Sequence, residues 1–397
     1  MLKYEIKKIF LKPVNRIVLM VLAAIVLIGS FLAIRDVKYY RGENHSALSG
    51  ISAARQLKKE KNQWKGYITE EAIMRVVEEN KTINSSSDSP DNALALRQGF
   101  DDIRHLINLG FSETGNYDYY LCDNISPGEA AGLYERRISK LKEELSASKD
   151  TKTTDFLINQ YQKLKTPLYY EYMEGWKALL DSQYLPTLMI ITIVIIGFLV
   201  SGIFSNEFHL KADSIFFSTE FGRNKAVSAK IKAGFLIITV VYWSVMLLFS
   251  AIILGVLGFD GAGCMIQAGE NWSSLYNITY LQSWLLTMFG GYIGNLFILM
   301  LAMFISVISR STVIAITIPF ALSCAPMFLG RIPLFTDIMN LFPDMLLRMC
   351  AFLDDLTVYE IGGKVFGVYA ILIPVYLLLS FVVVPLLYCS YKKAEVK

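Results

Sequence analysis

The hydrophobic and polar positions of this chain separate into long blocks. Six apolar runs have no charged side chain in their interior, and they occupy residues 17–35, 185–205, 233–258, 284–308, 312–329 and 366–388. A helix needs about 20 apolar residues to cross a bilayer. The pattern therefore predicts an all-α polytopic membrane protein with six transmembrane helices, which are numbered as spans one to six.

Composition supports the same prediction. The chain has 397 residues, of which 54% are hydrophobic and only 18% are charged. In a soluble domain, about a quarter of the residues are charged. Six charge-free runs of this length rarely arise as buried helices of a soluble protein, so a membrane location is expected.

Basic residues near the ends of the spans predict the orientation. Lysine and arginine are concentrated in residues 1–16, in 206–232, at Arg310 and in 389–397, whereas 259–283 contains neither. Positive charge near span ends marks the cytoplasmic side. This rule predicts cytoplasmic termini in a plasma membrane, with 36–184, 259–283 and 330–365 outside.

The segment 36–184 is the part of the chain able to fold in water, and its pattern is helical. Thr69 is expected to cap a helix that starts at Glu70. Ser126 and Glu129 form a capping-box pattern that predicts one helix running on through Tyr134, Ile138, Leu141 and Leu145. In 330–365, two apolar stretches too short to cross a bilayer predict either short re-entrant helices or a loop on the surface.

Sequence signals of catalysis are missing. The three histidines, at positions 45, 105 and 209, are far apart, and no phosphate-binding GxxxxGK[ST] pattern occurs. The five cysteines show no CxxC spacing. Unpaired cysteines are favoured, although a bridge among Cys122, Cys264 and Cys350 stays open. We expect no catalytic residue, no metal and no nucleic-acid partner.

Two short segments look suited to binding at the membrane surface. In residues 1–16, positions 2, 6, 9 and 10 are apolar while Lys3, Lys7 and Lys8 lie elsewhere, which is typical of a helix in the membrane interface. The segment 206–232 is basic, yet it contains aromatic residues at 216, 217 and 221. It is either a solvated connector or a docking helix for a soluble partner, and the aromatic residues favour docking.

The chain resembles the permease subunits of the type 2 ABC exporter family in two respects. The first is the pattern of Glu207, Ser218, Gly222-Arg223 and Lys230. The second is the whole layout, with an interfacial helix, one span, a large outside domain and five further spans. The turn lacks the proline that members often have. The resemblance implies coupling to an ATPase through Glu207, Phe216, Phe217, Ser218, Glu220, Gly222, Arg223 and Lys230. It also implies that 1–16 is the elbow helix.

The same resemblance implies the partners and the function. Cytoplasmic ABC ATPase subunits would bind ATP and magnesium, so no cofactor is expected on this chain, and a second permease would complete the path. The exported substrate would be an amphipathic peptide, drug-like or lipid-like compound, as in antimicrobial-peptide resistance or immunity. Candidates for the path or for helix packing are Ser201, Gly290, Gly291, Gly294 and Asn295. The alternative is a membrane sensor that detects a peptide and signals without transport.

Overall fold

The computed structural model describes residues 1–42, 46–146, 150–209 and 225–393. In this part of the chain, five helices are long and apolar enough to cross a membrane. The chain is therefore a mostly helical, multi-pass membrane protein. The run 312–329, predicted as a span, also forms a helix. At 18 residues it is shorter than the other five, and it contains two internal prolines.

The five candidate membrane helices form one bundle with the shorter helices α1 and α15. Its members are α1 (Leu2–Phe10), α2 (Pro13–Asp36), α12 (Tyr184–His209), α13 (Lys225–Leu257), α14 (Tyr280–Ser309), α15 (Thr312–Leu329) and α18 (Val368–Lys392). Helix α14 lies at the centre and packs against α12, α13, α15 and α18. Helix α2 packs on α12 and α13, and the short amphipathic α1 lies against α13.

Residues 37–183 form a domain of short helices. These are α3 (Ile51–Lys61), α4 (Glu70–Ser86), α5 (Pro90–Arg97), α6 (Asp101–Phe111), α7 (Leu121–Asn124), α8 (Pro127–Ala130), α9 (Leu133–Leu145), α10 (Thr151–Gln162) and α11 (Glu174–Leu179). Two small antiparallel ladders complete it: β1 (Lys38–Tyr40) with β2 (Ala47–Ser49), and β3 (Gly66–Tyr67) with β4 (Tyr169–Tyr170). The end of the bundle beside this domain is called the domain side, and the end that carries α1 is called the N-terminal side.

The predicted helix caps are present, with one difference. The Thr69 hydroxyl accepts a hydrogen bond from the Ala72 amide, and the Ser126 hydroxyl accepts one from the Glu129 amide. The helix that begins after Ser126 is not continuous, however. It stops at Ala130, and a second helix starts after Gly132. Glycine weakens a helix interior through its backbone entropy, so the break falls at this residue.

A second group of short elements lies between α15 and α18. It contains α16 (Pro333–Met339), α17 (Asp344–Leu347) and a hairpin of β5 (Val358–Ile361) and β6 (Lys364–Gly367). Helix α17 packs against α14 and also touches α15 and α18. Helix α17 therefore packs among the helices of the bundle. All five cysteines are unpaired.

Candidate functional site

The residues predicted to couple to a partner fall into two groups. Phe216, Phe217, Ser218, Glu220, Gly222 and Arg223 lie outside the described residues. Glu207 lies in the last turn of α12, and Lys230 lies in the second turn of α13. The described part of the chain therefore pauses at His209, just after Glu207, and resumes at Lys225, shortly before Lys230.

Glu207 and Lys230 meet in a buried cluster, which we call the base cluster. One Glu207 carboxylate oxygen lies 2.6 Å from the Lys230 ammonium, and the other accepts a hydrogen bond of 2.6 Å from the Tyr391 hydroxyl. Two residues of α1 join them, since Lys8 lies 3.3 Å from Glu207 and Glu5 lies 3.1 Å from Lys230. The base cluster therefore ties together α1, α12, α13 and α18.

The base cluster is buried yet balanced in charge. The side chains of Glu207 and Lys230 are 2% and 0% exposed. Two ammonium groups face two carboxylates, and Lys230 also donates to the Ile203 carbonyl. Burying a charge without a partner costs several kcal/mol, whereas a paired and hydrogen-bonded group avoids that cost. The arrangement therefore fixes the positions of four helix ends relative to one another.

Aromatic contacts surround the base cluster. The Tyr391 ring packs against the rings of Phe204 and Phe208, with centroids 5.0 and 5.9 Å away. The Arg310 guanidinium lies 4.8 Å from the Phe208 ring, so the link between α14 and α15 is on this side too. In α1, Lys3 and Lys7 are exposed, and Lys8 reaches the cluster. The N-terminal side therefore has a basic surface, and beneath that surface the aromatic side chains are packed against one another.

The five candidates for a path or for packing are in the bundle interior. The Ser201 carbonyl accepts a hydrogen bond of 2.5 Å from Ser306, which joins α12 to α14. An ideal Cβ on Gly294 would lie 3.2 Å from the Pro343 carbonyl oxygen, and one on Gly290 would lie 2.6 Å from Met349. Close approach of this kind is the usual role of small residues in membrane helices. The glycine contacts favour packing.

Asn295 differs from the glycines. Its amide nitrogen donates to the Gly291 carbonyl at 2.9 Å, while its Oδ1 atom is buried and has no hydrogen-bond partner in the described part of the chain. A buried amide oxygen without a partner is costly in an apolar setting. Asn295 is therefore the member of this set whose chemistry packing alone does not explain.

Substitution at Gly291 tests the packing role. An ideal Cβ there would lie 2.7 Å from both Met189 Sδ and Tyr242 Oη, whereas one on Gly255 meets no atom within 4 Å. We expect Gly291→Ala to lower the free energy of unfolding by about 1–3 kcal/mol because the core is overpacked. Gly255→Ala should be neutral or stabilising by up to about 1 kcal/mol. Thermal unfolding in micelles measures both, and equal effects would contradict the packing role.

A second cluster, the domain network, joins three helices of the domain to the loop before α14. Asp102 of α6 lies 2.6 Å from the Lys61 ammonium of α3 and 3.0 Å from the Lys177 ammonium of α11. Lys61 also pairs with Glu174, and Lys177 lies 3.2 Å from Glu270 in the loop before α14. These ion pairs link α3, α6, α11 and the loop before α14.

Electrostatics keep the domain network ionised. Burial acts to raise the pKa of Asp102, but the ammonium groups of Lys177 and Lys61 outweigh it and hold that pKa far below its usual range. Burial likewise acts to lower the pKa of Lys61, and the Asp102 and Glu174 carboxylates outweigh it and raise the pKa. Opposite charges within a few ångströms favour the charged forms.

The pKa of Asp354 is shifted in the opposite direction to that of Asp102. Burial, helped by the nearby carboxylates of Asp355 and Glu270, raises the pKa of Asp354 to about 7, although a hydrogen bond from Asn271 and the charge of Arg137 oppose the shift. One of its oxygens has no partner in the described chain. At neutral pH and above, the Asp354 carboxylate of the folded protein is therefore ionised in a buried site, where it is less stable than it would be in water.

Asp354→Asn is expected to stabilise the protein by about 2 kcal/mol at pH 8, after allowance for partial solvent screening. Because the folded-state pKa is raised, the wild type binds a proton on folding between about pH 7 and pH 4, and its stability rises as pH falls through that window. The variant should lack this rise. Melting temperatures at pH 8 and pH 5 measure the effect, and a gain that is equal at both values would contradict the assignment.

Sequence reasoning missed several of these residues. Glu5 and Tyr391 lie at the two ends of the chain, and Lys61, Asp102 and Lys177 are separated by 41 and 75 residues. No spacing rule connects residues so distant. Comparison with family models, with curated proteins and with solved structures finds no match for this chain.

Proposed function

We propose that this chain is the membrane-spanning permease subunit of an ATP-driven exporter of the type 2 ABC kind. The observation that carries the proposal is the base cluster. Its 2.6 Å contact between Glu207 and Lys230 joins α12 to α13, the helices that precede and follow residues 210–224 in the sequence. Force applied to that segment would reach α12 and α13 together, and through Lys8 and Tyr391 it would reach α1 and α18.

The proposed orientation puts the N-terminal side in the cytoplasm, with six spans and α15 as the fifth. Lysines and arginines near the span ends support this, because α1, Arg310, the start of α13 and the end of α18 all contribute them to one side. Positive charge is retained on the cytoplasmic side of membranes. A soluble ATPase could then bind residues 206–232 where ATP is available.

The proposed work cycle divides the tasks between polypeptides. The ATPase subunits bind ATP and magnesium, and two permeases form the path for an amphipathic substrate that leaves the cell. Closure of the ATPases would shift the populations of two arrangements of the spans. The domain network supports this scheme, since Lys177 pairs with Asp102 inside the domain and with Glu270 in the loop that leads into α14.

The experiment uses the full chain expressed with the ATPase that copurifies with it. The phosphate release of that ATPase is measured with and without the permease in vesicles. We expect Arg223→Ala to reduce the stimulation by about tenfold, as a side chain central to an interface would. Arg331→Ala, an exposed arginine on the domain side, is the matched control and should leave stimulation unchanged.

The outcomes separate the proposal from its rivals. A purified chain that moves substrate with no ATPase bound would contradict the proposal, as would equal effects of the two arginine variants. ATPase stimulation by a peptide that never crosses the vesicle membrane would favour the sensor. Glu207→Ala is a poorer probe, because Glu207 lies in the base cluster and its loss changes folding as well.

A further inference from the structure

A buried ion pair lies at α17, the short helix that packs against α14, α15 and α18. The Asp344 side chain is fully buried, and its Oδ2 atom accepts a hydrogen bond of 2.5 Å from the Arg348 guanidinium. The Arg348 side chain is 18% exposed, so the pair is accessible from the Arg348 side. Neither residue belongs to the base cluster or to the domain network. Ionisable side chains inside a membrane-protein bundle are costly and usually mark a functional site.

The pair leaves two polar atoms without partners. Asp344 Oδ1 and Arg348 Nε are both buried, and neither forms a hydrogen bond within the described residues. Among those residues, Arg348 alone forms an ion pair with Asp344. A buried carboxylate needs hydrogen bonds to its remaining lone pairs as well as an ionic partner, because burial removes its hydration. The Asp344 carboxylate is therefore only half compensated.

Helices α15 and α18 offer the second oxygen no strong donor. Cys324 is the one titratable residue in the sequence of α15, and Tyr376 is the residue of α18 that lies within electrostatic range of Asp344. The Tyr376 hydroxyl donates to the Leu341 carbonyl at 2.7 Å, so its proton is already used. A thiol is only a weak donor. Neither helix therefore completes the coordination of the carboxylate.

Helices α12 and α14 bring no charge to Asp344 either. The titratable residues of α12, which also touches α17, are Tyr184, Glu207 and His209, and they lie at its two ends. Those of α14 are Tyr280, in its first turn, and Tyr292, whose hydroxyl pairs with the Thr239 hydroxyl at 2.8 Å. Where α14 meets α17 it presents glycine, with no side chain to offer. Protonation is the remaining way to neutralise the second oxygen.

We propose that Asp344 is a proton-binding site inside the bundle and that it exchanges its proton with the solution past Arg348. The Oδ1 atom takes up the proton, and the carboxylate becomes a neutral carboxylic acid. Arg348 keeps its charge, which lies 4.9 Å from the Phe352 ring and is stabilised by it. The net charge of α17 thus changes by one unit with pH. This site stands whether or not the chain is a transporter.

Infrared difference spectroscopy tests the proposal, because a protonated carboxyl has a carbonyl stretching band that a carboxylate lacks. The full chain is measured in nanodiscs between pH 8 and pH 5, in an Asp354→Asn background that removes the other buried acid with an unpartnered oxygen in the described chain. We expect a band that grows as pH falls. Adding Asp344→Asn should abolish it, while the asparagine oxygen still accepts the Arg348 hydrogen bond and maintains the fold. Exposed acids contribute equally to both spectra and are subtracted.

Arg348→Gln gives a second readout, which a purely structural pair would not show. Removing the positive charge favours the neutral acid, so the midpoint of the band should move to a pH about one to three units higher. Arg331→Gln, at an exposed arginine, is the matched control and should leave the midpoint unchanged. Identical spectra with and without Asp344 between pH 8 and pH 5 would overturn the proposal. A midpoint that stays in place in Arg348→Gln would overturn it as well.

Discussion

Replacing Glu207 with alanine is expected to lower the free energy of unfolding by about 3–5 kcal/mol, the usual cost of removing one partner from a buried ion pair. The substitution removes the acceptor for Lys230, for Lys8 and for Tyr391 in one step. The buried Lys230 ammonium then loses its closest carboxylate. Thermal unfolding in micelles, followed by tryptophan fluorescence, measures the loss.

Two further variants separate charge from packing at the base cluster. Glu207→Gln combined with Lys230→Met removes both charges of the closest pair and should recover most of the loss, because well-packed neutral side chains often replace a buried pair at little cost. Lys8→Ala removes an exposed partner at 3.3 Å and should cost at most about 1 kcal/mol. A Glu207→Ala protein as stable as the wild type would show that the cluster does not hold the helices.

Lys61→Met is expected to cost about 3–5 kcal/mol, because it removes the ammonium group that lies closest to the buried carboxylates of both Asp102 and Glu174. The chain offers a close control on the same helix. Lys58 pairs with Asp260 at 2.7 Å, but both side chains are substantially exposed, so Lys58→Met should cost at most about 1 kcal/mol. Melting temperatures of the two variants are compared, and equal losses would contradict the role of burial.

Acid should weaken the domain network in a defined range. The folded-state pKa of Asp102 lies below the unfolded value, which is about 3.9. The stability that Asp102 contributes is therefore fully present above about pH 4 and is lost as pH falls toward the folded-state pKa. Below about pH 4, the difference in melting temperature between the wild type and the Asp102→Asn variant should become smaller. A constant difference would contradict the ionised network.

The large divisions of the fold could be predicted because bilayer thickness imposes them on the sequence. Each of the six apolar runs became a helix, and the domain between the first two is helical. Local rules also worked at Thr69 and Ser126, where a hydroxyl reaches an amide three residues away. Because both partners of such an interaction are close together in the sequence, the interaction can be predicted from the sequence alone.

One element carried a readable signal that was overlooked. The stretch VYEIGGKVFG forms the β5–β6 hairpin, with Gly362 and Gly363 at the turn and both at positive φ, 59° and 79°. Two glycines between alternating segments are typical of a tight hairpin turn. The segment 330–365 is therefore part helix and part hairpin.

The clusters could not be predicted, because their members are brought together by packing between distant helices. Glu207 and Lys230 were identified through the resemblance as residues that face a partner, yet in the structure they face each other. Charges in a cluster carry no periodic signal, and a lysine such as Lys61 looks like an ordinary surface residue of a polar helix. Burial, which gives such residues their importance, is a property of the assembled bundle.

The most direct test of the central claim, that residues 206–232 are held from the cytoplasm by a nucleotide-hydrolysing partner, is photo-crosslinking in intact cells. A photoreactive amino acid replaces Phe217, and a second protein carries it at Tyr120, an exposed position of the domain. We predict that position 217, and not position 120, forms an adduct with a polypeptide that contains a nucleotide-binding P-loop. An adduct of that polypeptide with position 120, or adducts of position 217 with extracellular proteins alone, would contradict the account.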